Sequence, residues 1–137
     1  MRKLNKIIVH CSATPEGREH NASDMDRWHK KRGFNEIGYH YFIKLDGTIE
    51  EGRALSKQGA HCSGENRGSI GICYCGGMSK DMKKAKDTRT QAQKDSLIKL
   101  MTELIYKYNQ DMTIHSHRDY ANKACPSFDA TNEYKHL

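Results

Sequence analysis

The sequence predicts an α/β domain built on a central mixed β-sheet flanked by helices, and three features carry that expectation. Two short runs, Ile7–Val9 and Ser69–Cys75, are β-branched or almost wholly apolar, as expected of strands buried on both faces. Helix-like segments alternate with them, the longest beginning after Thr90 with apolar residues at three-and-four spacing. Between the two runs, Tyr39–Leu45 reads as a strand, Asp46-Gly47 is a strong hairpin turn signal, and Thr48–Glu50 returns.

The elements follow in order. The first strand ends at His10, and the polar stretch Ser12–Ala22, with Pro15 and Gly17, reads as a loop. A helix is expected to open at Ser23, where Asp26 stands in capping-box-like spacing. It places Met25, Trp28 and Arg32 on one face and stops at Gly33. The strand Ser69–Cys75 is closed by Gly76-Gly77, and Met78–Arg89, rich in lysine and aspartate, reads as an exposed loop. Thr90 with Gln93 repeats the capping-box spacing, and Leu97, Met101, Leu104, Ile105 and Tyr108 form the apolar stripe of the helix it opens. Met112–His115 is a last short strand, and Pro126–Leu137 closes with a short helix.

The totals bound the function classes. A chain of 137 residues is the length of one domain, 1–137, large enough to bury a core without staples. The net charge of +6 suits anionic partners. The basic residues are scattered and lack the interleaved aromatics of a single-strand binder, so no nucleic-acid partner is expected. The glycines at 71, 76 and 77 make neither a P-loop nor a dinucleotide fingerprint. No stretch approaches a membrane span, and the apolar part of the N-terminus is too short for a signal-peptide core. Synthesis in the cytoplasm is expected, with any action outside it requiring another route. Five cysteines, an odd number without the spacing of a disulfide scaffold and with no Cys-x-x-Cys pair, read as reduced thiols.

Eight histidines in this length point to a metal. Catalytic zinc commonly takes three protein ligands and keeps one position for water. His10 closes the first strand, His115 and His117 follow the last one, and Cys125 lies eight residues beyond His117, far enough to fold back on the same ion. His115 competes with His117, because residues two apart on a strand share a face. Cys125 paired with a histidine is also a thiol-protease arrangement. Against that, no helix N-terminus marks Cys125, and Pro126 follows it.

At these residues the chain resembles the type 2 N-acetylmuramoyl-L-alanine amidases, a family that includes a small phage amidase and the animal peptidoglycan recognition proteins. His10-Cys11-Ser12-Ala13-Thr14 is similar to its first zinc-binding segment, and Trp28-His29 with Gly33-Phe34 to its first-helix signature. Gly38-Tyr39-His40-Tyr41-Phe42-Ile43 and Asp46-Gly47-Thr48 resemble its hairpin. Gly59-Ala60-His61 resembles a groove segment, Asn66 with Ser69-Ile70-Gly71-Ile72 the next strand, and Lys123-Ala124-Cys125-Pro126-Ser127-Phe128 the last ligand segment. The matches run in the family's order from residue 7 to about 129, and Met78–Arg89 aligns to no family role.

The resemblance implies an amidase or peptidoglycan recognition protein-like fold. It also implies one Zn²⁺ per chain, held by His10, His117 and Cys125, which decides between the two histidines. Tyr39 and Lys123 fall on the family's catalytic positions, and His61, Asn66 and Ser69 on groove positions expected to touch substrate. The implied substrate is peptidoglycan, cut at the amide between N-acetylmuramic acid and L-alanine by a monomer, as in a phage or prophage lysis enzyme. A non-catalytic peptidoglycan-binding module of the same fold is the alternative. Members of that type generally lack the cysteine ligand, which this chain keeps. A regulatory protein partner stays open.

Overall fold

A computed structural model describes residues 1–137. Seven strands and three helices form: β1 (Lys6–Cys11), β2 (Thr14–Pro15), α1 (Ala22–Lys31), β3 (Tyr41–Ile43), β4 (Ile49–Glu51), β5 (Ser69–Tyr74), β6 (Gly77–Met78), α2 (Gln91–Tyr108), β7 (Thr113–Ser116) and α3 (Ala130–Glu133). The main sheet has the order β4-β3-β5-β1-β7. Only β4 runs antiparallel to its neighbour; β3, β5, β1 and β7 are parallel. The expected mixed sheet is therefore present, and its one antiparallel pair is the hairpin turned at Asp46-Gly47.

The two-residue alternation of strand side chains splits the central strands between two cores. Ile7, Val9 and Cys11 of β1, Ile70, Ile72 and Tyr74 of β5, and Ile43 of β3 join Leu97, Leu100, Met101, Leu104 and Ile105 of α2 in the larger core. Phe42 and Cys73 point to the opposite face, where they pack with Met25 of α1 and with Ile37 and Cys75. The residues between, His10 and Gly71 among them, share that second face, and the functional site lies there. All five cysteines are free thiols. No helix is long and apolar enough to cross a membrane.

Several sequence expectations need correcting. Helix α1 begins two residues earlier than expected: Asn21 is the N-cap and Asp24 completes the capping box. Asp26 is freed from a capping role and instead accepts the Ile37 N–H at 2.8 Å. The buried partner of Met25 on α1 is His29, whereas Arg32 is an exposed C-cap residue. The strand expected over Tyr39–Leu45 is regular only from Tyr41 to Ile43, although the Tyr39 and His40 carbonyls still accept from Arg53 and Gly52. The loop after Cys11 contains β2, which pairs in parallel with β6 beyond Gly76.

Within Met78–Arg89, positions 80–87 are exposed as expected, but Thr88 and Arg89 are buried. The Arg89 guanidinium stacks 3.4 Å above the Phe128 ring centroid and pairs with Asp87 and Glu133. Along α2, Tyr108 is exposed, and Gln93 and Leu100 are buried instead. Strand β7 is shifted one residue, to Thr113–Ser116.

Candidate functional site

The register of two parallel strands builds the centre of the site. Strand β1 pairs with β7 so that Ile8 lies beside His115 and Val9 beside Ser116. Continuing that register brings His10 and His117 side by side at the carboxyl end of the sheet. His117 opens a short 3₁₀ turn, His117–Asp119, and the chain then loops back. The Arg118 N–H donates to the Cys125 carbonyl at 2.8 Å and ties down the return. The Cys11 N–H donates to the Cys125 sulfur at 3.2 Å.

His10, His117 and Cys125 thereby offer one ligand atom each, all within 4.8 Å of one another. Nδ1 of His10 lies 3.1 Å from Nδ1 of His117 and 3.8 Å from Sγ of Cys125. Tetrahedral zinc with ordinary bond lengths requires about 3.3 Å between two nitrogens and about 3.6 Å between nitrogen and sulfur. The donor set fits such an ion in spacing and in chemistry, since two imidazoles and a thiolate are borderline-soft ligands. Burial, then the neighbouring His61 and His117, holds His10 well below the ordinary histidine pKa. Burial and then the charge of Lys123 lower His117. Both rings are therefore neutral near pH 7, the form that ligates. The neighbouring Cys11 sulfur and then burial push the Cys125 thiol up; a coordinated dication reverses that preference.

His115 takes no part in this cluster. Its Nε2 lies 2.7 Å from the Thr113 hydroxyl, and its ring packs 5.7 Å from that of Tyr120.

Through His117 the cluster borders a cleft of about 380 Å³ whose walls also include Tyr39, His61, Asn66 and Lys123. The Tyr39 ring sits between two imidazoles, 5.1 Å from His10 and 5.2 Å from His29. His29 is itself fixed, because its Nδ1 accepts the Gly38 N–H at 2.8 Å. Burial pushes the Tyr39 phenol well above the ordinary tyrosine range, so its hydroxyl stays protonated. Lys123 is exposed on a tight turn closed by its own N–H to the Ala121 carbonyl, 2.9 Å.

Of the three groove positions, His61 and Asn66 line the cleft, whereas Ser69 is fully buried. Nδ1 of His61 lies 2.9 Å from Nε2 of His10, and its Nε2 is 3.2 Å from the Ser69 hydroxyl. The Asn66 side-chain oxygen accepts the N–H groups of both His61 and Cys62 at 2.9 Å. The Ser69 hydroxyl therefore faces His61, not the cleft.

His29, Arg32, Phe34 and Tyr120 also line the cleft. In the sequence, Arg32 and His29 look like ordinary residues of a helix C-terminus. The packing of α1 buries His29, while Arg32 stays exposed at the cleft rim; the spacing of His29 four residues after Met25 and its place in the Trp28-His29 signature are the signals that point to it.

Fold and site together define a class: an α/β domain carrying a two-histidine, one-cysteine centre at the end of parallel strands, open to a polar cleft. The chain matches the family described as N-acetylmuramoyl-L-alanine amidase over residues 1–128. It is 43% identical over 123 residues to the endolysin of Enterobacteria phage T3, covering 90% of this chain and 80% of that protein. It superposes on N-acetylmuramoyl-L-alanine amidase LysC from Clostridium intestinale URNW with a TM-score of 0.81 and 32% identity, covering 96% of this chain and 82% of that one. Drosophila peptidoglycan recognition protein SD shares the fold, with a TM-score of 0.81 and 19% identity over 100% of this chain and 82% of that one. The chain belongs to the N-acetylmuramoyl-L-alanine amidase family and is homologous to phage endolysins.

Proposed function

We propose that the protein is a zinc-dependent N-acetylmuramoyl-L-alanine amidase that hydrolyses the amide between the lactyl group of N-acetylmuramic acid and L-alanine in peptidoglycan. The observation that carries this reading is the convergence of His10, His117 and Cys125, with His117 lining a cleft that Tyr39 and Lys123 also line. Retention of Cys125 favours an enzyme over a binding module of the same fold.

His10, His117 and Cys125 hold the zinc. When bound, the ion supplies Lewis acidity that activates a water and polarises the scissile carbonyl. The Tyr39 hydroxyl, kept protonated by burial, donates to the carbonyl oxygen as negative charge builds there. The Lys123 ammonium, which lines the same cleft, adds positive charge and offsets the charge of the Cys125 thiolate. One well-placed donor of this kind contributes about 2.7–4 kcal/mol to the transition state. Action as a monomer is part of the same proposal. Kinship with phage endolysins supports the cell wall as target.

Digestion of defined peptidoglycan followed by mass spectrometry tests the reading. Intact stem peptides with a free L-alanine amino terminus are expected, and a chelator should abolish their release. Cleaved glycan with peptides still attached would refute it.

A further inference from the structure

We infer that His61 is a positioning residue that locks His10 in its zinc-binding tautomer, an inference resting on the metal-centre reading above. Three independent features of the structure converge on it.

The first is a directed hydrogen-bond chain. If Nδ1 of His10 faces the ion, the proton of that neutral ring must sit on Nε2. That Nε2–H then donates to Nδ1 of His61 at 2.9 Å. With Nδ1 accepting, His61 carries its own proton on Nε2 and donates it to the Ser69 hydroxyl at 3.2 Å. The Ser69 hydroxyl donates onward to the Asn66 carbonyl, also at 3.2 Å. Every link has one donor and one acceptor, and the chain ends on a backbone oxygen that cannot reverse it. Both ring nitrogens of His61 are committed inside the protein, so neither is free to hold substrate.

The second feature is a cradle without side chains. A Cβ on Gly71 of β5 would lie 2.5 Å from Cδ2 and 2.6 Å from Cγ of His61, and a Cβ on Gly59 would lie 2.6 Å from the same Cδ2. The imidazole rests against the bare backbone of two glycines, where any side chain would displace it. The third feature is the Asn66 oxygen, which accepts the N–H groups of His61 and Cys62 and fixes the backbone that carries the ring.

Outer hydrogen bonds of this kind fix ring orientation and strengthen the ligand, and their loss typically costs about 10–100-fold in metal affinity. Cradle and chain thus hold His10 in the tautomer whose Nδ1 lone pair is free for the ion.

The test is zinc affinity, measured by competition with a chromophoric chelator, for the wild type, His61→Leu, His61→Asn and Gly71→Ala. His61→Leu removes the acceptor, and Gly71→Ala displaces the ring without touching it chemically. Both should weaken zinc binding by about 10–100-fold. His61→Asn, whose amide oxygen sits where Nδ1 was, should recover most of the loss. In zinc-loaded protein, nitrogen-15 NMR should show a slowly exchanging Nε2–H proton on His10 in the wild type and His61→Asn, absent in His61→Leu. Equal zinc affinity in the wild type and His61→Leu would overturn the inference. A wild-type protein that takes up no zinc would overturn the metal centre itself and this inference with it.

Discussion

Nδ1 of His117 lies 3.1 Å from Nδ1 of His10, although 107 residues separate the two in sequence. Two neutral imidazoles that aim lone pairs at one point repel each other unless a proton or a cation lies between them. A ligand that binds only the folded state stabilises it, by about 2.7 kcal/mol at a hundredfold excess over its dissociation constant. Zinc should therefore raise the thermal midpoint of the wild type, and a chelator should lower it. Cys125→Ser should lose bound zinc, wall hydrolysis and most of this chelator sensitivity together. Metal content by mass spectrometry and turbidity loss of purified walls check all three. Full activity in Cys125→Ser would remove the ligand assignment.

Tyr39→Phe and Lys123→Ala separate chemistry from metal binding. Neither residue supplies a ligand atom to the cluster, so both variants should keep their zinc. Each should lower turnover by about 10²–10³-fold, the usual effect of deleting one donor to a developing oxyanion. The Tyr39 ring would still pack between His10 and His29 in Tyr39→Phe, so its melting temperature should stay close to that of the wild type. If Lys123→Ala loses zinc as well as rate, the lysine supports the centre and not the transition state.

Local signals made much of the fold legible, and long-range pairing hid the rest. Strands β1 and β5 announce themselves because both faces are buried, so nearly every residue is apolar. Helix α2 is marked by the Thr90–Gln93 box and a regular stripe. The choice between His115 and His117 was beyond local spacing, because two residues apart is the same face in either frame. The family resemblance points to His117, and the pairing of β1 with β7 gives the physical reason: it sets His115 beside Ile8 and leaves His117 level with His10. The cap of α1 was misplaced for a related reason: Ser23 with Asp26 and Asn21 with Asp24 offer the same spacing. The Ala22 N–H donating to Glu50 across the molecule, and Asp26 bound to Ile37, favour the earlier start. Likewise, Arg89 sits in a charged run that reads as solvated, and its partners Phe128 and Glu133 lie some forty residues away.

Gln93 offers a test of the core that does not touch the site. Its side chain is fully buried and bridges three elements. Nε2 donates to the Cys75 carbonyl at 2.9 Å and to Ile43 at 3.3 Å, while Oε1 accepts the Thr90 N–H at 2.9 Å. Gln93→Leu keeps the volume but leaves the Cys75 carbonyl and the Thr90 N–H without these partners. The expected cost is about 1–3 kcal/mol, read as a lower urea midpoint with an unchanged denaturant slope. Zinc content should not change.

Arg89 predicts a specific acid sensitivity. Hydrogen bonds from its guanidinium, more than its charge, hold the Glu133 carboxyl below its ordinary value of 4.5. Burial raises Asp87, but the hydrogen bonds and charge of Arg89 more than offset this, leaving it below 3.8. A carboxylate with a depressed folded-state pKa stabilises the fold above its unfolded pKa, and that stability is lost as pH falls through the folded value. Wild-type stability should therefore drop below about pH 4.5, as the two carboxylates take up protons. Arg89→Met retains an unbranched stem over Phe128 but has no charge, so it should be less stable than the wild type at pH 7. The gap should narrow as pH approaches 3, because the wild type then loses what the variant never had. Both side chains are partly exposed, at 34% and 46%, so solvent screening keeps the electrostatic share modest. Urea midpoints of the two proteins at pH 7 and pH 3 decide the matter. A gap that stays constant with pH would mean that Arg89 acts through its stacking on Phe128 and its bond to Tyr134, with the ion pairs contributing little.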